Sequence, residues 1–190
     1  MNISFGKKIP IAICNIFDNQ QNKFVPATIN EYDCKDKSDI EEIKSLDDNW
    51  AHKDTIALNM RVKYFSLNNN RHCDARFYAL ENTEGEILGI SYVDDLEKNV
   101  ELRFIESRND KRYKYVGQNI LATIGKNILD GNQRKFIVRS AVSSAFDFYE
   151  KVCGFKDIGY SDLAMNRFDI HKFVKQTEKR TKAPIVNLEG

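Results

Sequence analysis

The sequence predicts an α/β (α+β) domain in which one mixed sheet carries helices on both faces. Three observations predict it. Stretches of alternating apolar and polar residues, the period of a half-buried strand, recur along the first hundred residues. Val116, Ile120, Ile124 and Ile128 then recur every fourth position, the period of a helix burying one face. Beyond them strands and helices alternate, which argues for a layered sheet rather than segregated halves. A chain of 190 residues is long enough for one such domain with a real core.

The elements follow in order. Ile9 to Phe17 and Phe24 to Tyr32 read as strands around the polar loop D-N-Q-Q-N-K, an N-terminal hairpin over 1–33. Pro10 and Pro26 stand near the strand starts, where a missing N–H does least harm. Ser38 opens S-D-I-E, a capping-box pattern with Glu41, and Ile40, Ile43, Leu46 and Trp50 follow on one helical face. From Asp54 a second helix presents Leu58, Val62 and Phe65, and 67–72 is a loop. A second hairpin runs from Arg76 to Leu80 and Ile87 to Val93, turning at Gly85. Val100, Leu102 and Phe104 share one face of the next strand, and Asp130-Gly131 ends the helix after it. Lys135 to Val142 reads as a strand, and Ser143 or Ser144 caps a short helix through Val152 that stops at Gly154-Phe155. Short strands over 155–160 and 163–168 precede a helix from Asp169 carrying Ile170, Phe173 and Val174. The expected organisation is one domain over 1–175 and a flexible tail over 176–190.

Composition limits the function. Apolar residues make up 42% and charged residues 30%, the balance of a globular chain. A net charge of +1 removes the electrostatic argument for nucleic-acid or membrane binding. Cys14, Cys34, Cys73 and Cys153 show no C-x-x-C or metal-ligand spacing, and scattered thiols of this kind predict a reducing, cytoplasmic setting. The apolar run after Lys7 and Lys8 is too short for a secretory signal. His52, His72 and His171 have no partners suggesting a triad or a metal. Glu31 to Asp48 holds eight acidic residues against three lysines. Such a run reads first as a solvated face.

The stretch 100–121 carries the chemistry. A strand there feeds the polar segment Glu106 to Arg112, and a helix begins at Val116. Helix starts leave backbone N–H groups without intrahelical partners, and with the helix dipole they favour a phosphate. Arg112 and Lys114 add positive charge to the loop.

R-Y-K-Y-V-G at 112–117 resembles the pyrophosphate-binding R/Q-x-x-G-x-G/A motif of the GNAT superfamily of acetyl-CoA-dependent N-acyltransferases. Arg112 fills its first position and Gly117 its last, while Tyr115 stands where the middle glycine belongs. Tyr115 is compatible with a bound phosphate if its ring points away. A-F-D-F-Y-E-K-V-C-G-F at 145–155 resembles that family's A-x-x-F-Y-E-K-x-G-F segment, one residue longer before the glycine. The resemblance covers about residues 75–168. It implies a mostly antiparallel sheet with a splayed central strand pair, and the element order here adds one N-terminal strand.

The resemblance also implies site residues. Backbone at Phe104, Ile105 and Glu106 would pair with the pantetheine arm of acetyl-CoA. Arg112, Tyr113, Lys114, Tyr115, Val116, Gly117 and Gln118 would take its pyrophosphate, with Ser143 and Tyr149 nearby. Tyr149 is the expected general acid at the thioester sulfur, being a neutral donor that tolerates burial. Glu106 and Glu101 are candidate general bases, directly or through water. No metal is expected. The acceptor is an amine on a small molecule or a protein, and a homodimer is left open. Alternative readings are toxin-like or regulatory acylation of a macromolecule such as aminoacyl-tRNA, and a non-catalytic acyl-CoA-binding module.

Overall fold

In the computed structural model, which describes residues 8–33, 36–39, 41–43, 74–108 and 111–188, the alternating N-terminal stretches pair as an antiparallel hairpin. Its strands are β1 (Ile9–Asp18) and β2 (Lys23–Tyr32). A meander follows: β3 (Asp74–Asn82), β4 (Ile87–Asp95) and β5 (Asn99–Ser107). The short β6 (Tyr113–Lys114) leads into helix α1 (Val116–Asp130). Then come β7 (Lys135–Val138), β8 (Lys156–Gly159), β9 (Asp162–Asn166), helix α2 (Arg167–Thr181) and β10 (Val186–Asn187). The strands form one sheet in the order β10-β1-β2-β3-β4-β5-β7-β9-β8, with β6 pairing β1. Among the described residues only β5 and β7 run parallel; the other pairs are antiparallel.

Strand alternation assigns each face. Tyr78 and Leu80 of β3 join the core under α1 and α2, while Phe77 and Ala79 join a second cluster on the opposite face. Residues 37–39 and 41–43 are helical, and Ile43 is buried in that second cluster, so both faces carry helix. Asp36, not Ser38, caps this segment: its Oδ1 accepts from the Ser38 and Asp39 N–H groups at 2.9 and 3.3 Å. The expected helix from Asp54 and the loop 67–72 lie outside the described residues.

Three further expectations are corrected. Phe104 does not share a face with Val100 and Leu102. Tyr92 pairs with Phe104 and Val93 with Leu102, so Arg103 is a bulge residue, and the residues beyond it switch faces. The strand expected over 135–142 ends at Val138, because Ser140 adopts a left-handed φ of 50° and its N–H turns to the Asp162 carboxylate at 2.9 Å. The tail is not loose from 176. Helix α2 runs to Thr181, Ile185 is buried, and Ala12 and Ile13 pair with Asn187 and Val186. The missed signal was Ile185-Val186, an apolar pair beyond Pro184.

Gly89 sets how closely α1 lies on the sheet. A Cβ there would stand 2.4 Å from Val116 Cγ1 and 3.0 Å from Ile120 Cδ1, so only a glycine lets the first turn seat against β4.

Candidate active site

The site begins where β5 and β7 part. Their parallel pairing covers Asn99 to Leu102 on one strand and Lys135 to Val138 on the other. One further bond, Arg139 N–H to the Leu102 carbonyl at 3.0 Å, closes the ladder. Beyond it the chain turns away toward β9, and no described strand pairs that side of Arg103 to Ser107. The bulge at Arg103 falls at the same point and turns Ile105 toward the helix face. A cavity of about 430 Å³ fills the opening, bounded by Ile105, Glu106 and Ser107 on one strand and by the start of α1.

Helix α1 presents an uncapped N-terminus to this cavity. Its N-cap is Tyr115, whose side chain makes no capping bond, and no acidic residue stands in the first turn. Val116, Gly117 and Gln118 line the cavity there. First-turn N–H groups in this state are a standing anion site. Tyr115 adopts the left-handed conformation, with φ 71° and ψ 10°, which a glycine would enter freely and which costs another residue about 1–2 kcal/mol. Its ring lies stacked on Phe24, with centroids 6.2 Å apart and 19° between planes.

The two cations of the loop have protein partners. Arg112 donates from Nε and Nη2 to Asp18 Oδ2 at 3.2 and 3.0 Å and lies over the Tyr113 ring. Lys114 Nζ stands 5.7 Å from the Phe17 ring centroid. Neither residue lines the cavity, whereas Tyr113 does. Burial works against the charged form of Asp18, but the Arg112 guanidinium and the N–H groups of Gln21 and Gln20 outweigh it and hold the carboxyl below its ordinary range.

Tyr149 lines the cavity wall opposite the strand. It is 6% exposed and held edge-on between Phe148 and Phe155, at centroid distances of 5.5 and 5.7 Å. The expected short helix is a 3₁₀ turn (Ser143–Ala145) followed by a π-helical turn (Phe148–Cys153). A π turn takes one residue more per hydrogen-bonded ring than an α turn, which accommodates the additional residue before Gly154. Gly154 then ends the turn at φ 86°.

The structure therefore gathers Ile105, Glu106, Tyr113, Tyr115, Val116, Gly117, Gln118 and Tyr149 around one cavity. Phe104 is not among them, because the bulge sends it to the opposite core. Ser143 is replaced by its neighbour Ser144, whose backbone follows the 3₁₀ turn into the wall. Glu101, the other candidate base, is not in that wall. It is 4% exposed, lies outside the cavity, and is paired with Arg139 and, at 2.8 Å, with Arg103. Sequence reasoning missed Ser107, Ser144, Ala145 and Phe148 in the wall. Phe148 and Ala145 stood inside the quoted motif, and Ser107 lies one position beyond Glu106.

Other candidates resolve simply. Cys14 and Cys153 are buried free thiols whose burial pushes each up to about 12, so neither supplies a thiolate nucleophile. His171 is exposed on α2. Among the described residues no three His, Cys, Asp or Glu side chains could hold a metal, and no helix is long and apolar enough to cross a membrane. In the acidic stretch, Glu31 pairs with Arg76, Glu42 with Lys8, and Asp36 caps a helix, which are structural roles.

No protein-family model matches the chain, and no curated protein matches it in sequence. Solved structures do match. A GNAT-family acetyltransferase from Staphylococcus aureus superposes with a TM-score of 0.56 at 14% identity, covering 74% of this chain and 99% of its own. The ribosomal-protein-S18-alanine N-acetyltransferase of Escherichia coli gives 0.54 at 14% identity over 74% and 93%. The spermidine N-acetyltransferase of Vibrio cholerae, in complex with CoA and spermine, gives 0.53 at 14% identity over 76% and 98%. At such identities the likeness speaks for architecture, and the architecture is plain: this chain has the GNAT acetyltransferase fold.

Proposed function

We propose that the chain is an N-acetyltransferase that moves an acetyl group from acetyl-CoA to a primary amine in a ternary complex. One observation carries the reading. A single cavity is bounded by a helix start without a side-chain cap, a strand edge that no described strand covers and a buried tyrosine. The donor set fits acetyl-CoA: N–H groups of Val116 to Gln118 for the pyrophosphate, and the edge of β5 at Ile105 to Ser107, which no described strand covers, for its amide-bearing arm. Bound there, acetyl-CoA supplies an activated acyl group.

The chain's own groups do the rest. Holding donor and acceptor together removes much of the entropic barrier. Glu106 takes a proton from the acceptor ammonium, directly or through water, leaving the nitrogen lone pair free. As the new C–N bond forms and the C–S bond breaks, the Tyr149 hydroxyl gives its proton to the departing sulfur, the nitrogen sheds its second proton to water as the amide forms, and Glu106 returns its own to solvent. Tyr149 is then reprotonated from solvent. The packed rings around Tyr149 hold its hydroxyl in place and exclude water from the thioester.

Calorimetry of the full chain with acetyl-CoA, combined with thiol release over polyamine, lysine-peptide and N-terminal-peptide acceptors, tests this. Binding together with turnover of one acceptor class is expected. Absence of binding overturns the proposal. Binding without turnover across the panel replaces it with a non-catalytic acyl-CoA-binding module.

A further inference from the structure

The N-terminal hairpin lies outside the motif-bearing stretch, yet its tip is fastened to the phosphate loop at every turn. Phe17 and Asp18 pair with Lys114 and Tyr113 as strand neighbours. Asn19 donates from its backbone to the Arg112 carbonyl at 2.8 Å and from its side chain to the Lys111 carbonyl at 2.6 Å. The buried Asp18 carboxylate works in two directions. Its Oδ1 accepts from the Gln20 and Gln21 N–H groups and closes the hairpin turn. Its Oδ2 takes the Arg112 guanidinium. Phe24, itself held edge-on by Phe17 at 5.1 Å, stacks on Tyr115.

We propose that this tip is a clamp that positions the first turn of α1, with Phe24 and Asp18 as positioning residues; the proposal rests on the acetyl-CoA reading above. The reason lies in Tyr115. A residue with a Cβ resists the left-handed region, and Tyr115 must occupy it for the loop to enter α1 at the observed angle. Stacking on Phe24 offsets that cost and holds the ring against the hairpin. Asp18 holds Arg112 to the hairpin, which keeps the loop backbone in register with β1. The function that a glycine would perform by its own freedom is thus performed here by two side chains far away in sequence. Neither Phe24 nor Asp18 lines the cavity, so they act through Tyr113, Tyr115 and the N–H groups behind them.

The test is a rescue. Phe24→Ala is expected to weaken acetyl-CoA binding about five- to tenfold in calorimetry, raising KM while leaving kcat at saturation unchanged. In the ligand-free chain the same variant should speed amide exchange at Asn119, whose N–H bonds the Tyr115 carbonyl, and at Asn19. Phe24→Tyr should bind normally. Adding Tyr115→Gly to Phe24→Ala should restore most of the affinity, since glycine enters the left-handed region without support. Asp18→Asn gives a second arm, with a loss of about threefold. Unchanged affinity in Phe24→Ala, or a double variant no better than the single, overturns the clamp. A wild-type chain that binds no acetyl-CoA overturns the donor reading, and the clamp with it.

Discussion

The two ends of α1 are finished in opposite ways. At the C-terminal end the loose carbonyls of Ile128 and Leu129 are taken up by a side chain. Arg167, the first residue of α2, donates from Nη1 to the carbonyls of Ile128, Gly131 and Gln133 at 2.7, 3.1 and 2.8 Å, and from Nη2 to Leu129 at 2.5 Å. Gly131 is extended here rather than left-handed, so the usual glycine cap is absent and the guanidinium replaces it. It also sets a positive charge at the negative end of the dipole. At the N-terminal end no side chain caps the helix, and the cavity lies against it. One end is closed by a side chain, and the other faces the cavity without a side-chain cap. On the proposal made above, the uncapped terminus is a feature supported from behind by Phe24 and Asp18 rather than a defect.

That contrast can be broken at several points. The largest effect belongs to the open end. Tyr149→Phe should lower kcat for acetyl transfer by about a hundredfold, with acetyl-CoA affinity unchanged in calorimetry. Full rate across the pH range would remove Tyr149 from the chemistry. Next comes Gly89→Ala, which drives a methyl into Val116 and Ile120 at the base of the open end. A loss of about 1–3 kcal/mol in urea unfolding is expected, together with weaker acetyl-CoA binding, because the first turn must lift.

At the closed end, Arg167→Met should cost about 1–2 kcal/mol in urea unfolding and leave acetyl-CoA affinity unchanged. If affinity fell instead, the two ends would not be independent.

The smallest effect is a pH dependence. Asp18 and Asp162 titrate below their ordinary range in the folded chain, Asp18 through Arg112 and backbone N–H groups against its burial, Asp162 through the Ser140 N–H and Arg139. A lowered folded pKa gives stability that is present above the unfolded value near 3.9 and lost as pH falls through the folded value. Unfolding followed from pH 7 to pH 3 should therefore show an acid limb that flattens in Asp18→Asn. An unchanged limb would mean that the Asp18–Arg112 pair does not couple to folding.

The sequence made the local elements readable wherever one period dominated. The bounds of β1, β2 and α1 follow from alternation and from the four-residue recurrence of Val116, Ile120, Ile124 and Ile128. Two short motifs located the wall of the cavity at 113–118 and 145–149, since the spacing of residues in one loop or turn is fixed by the chain itself.

What only the tertiary structure decided was partnership. A bulge at Arg103 is set by pairing with β4, and it turns Phe104 to the opposite core while Ile105 stays in the cavity wall. Glu101 and Arg112 looked free in sequence, and each is tied to charges contributed by distant strands. Burial, ion pairing and the choice of sheet face depend on residues brought together from across the chain, and no local period or motif encodes which of them will meet.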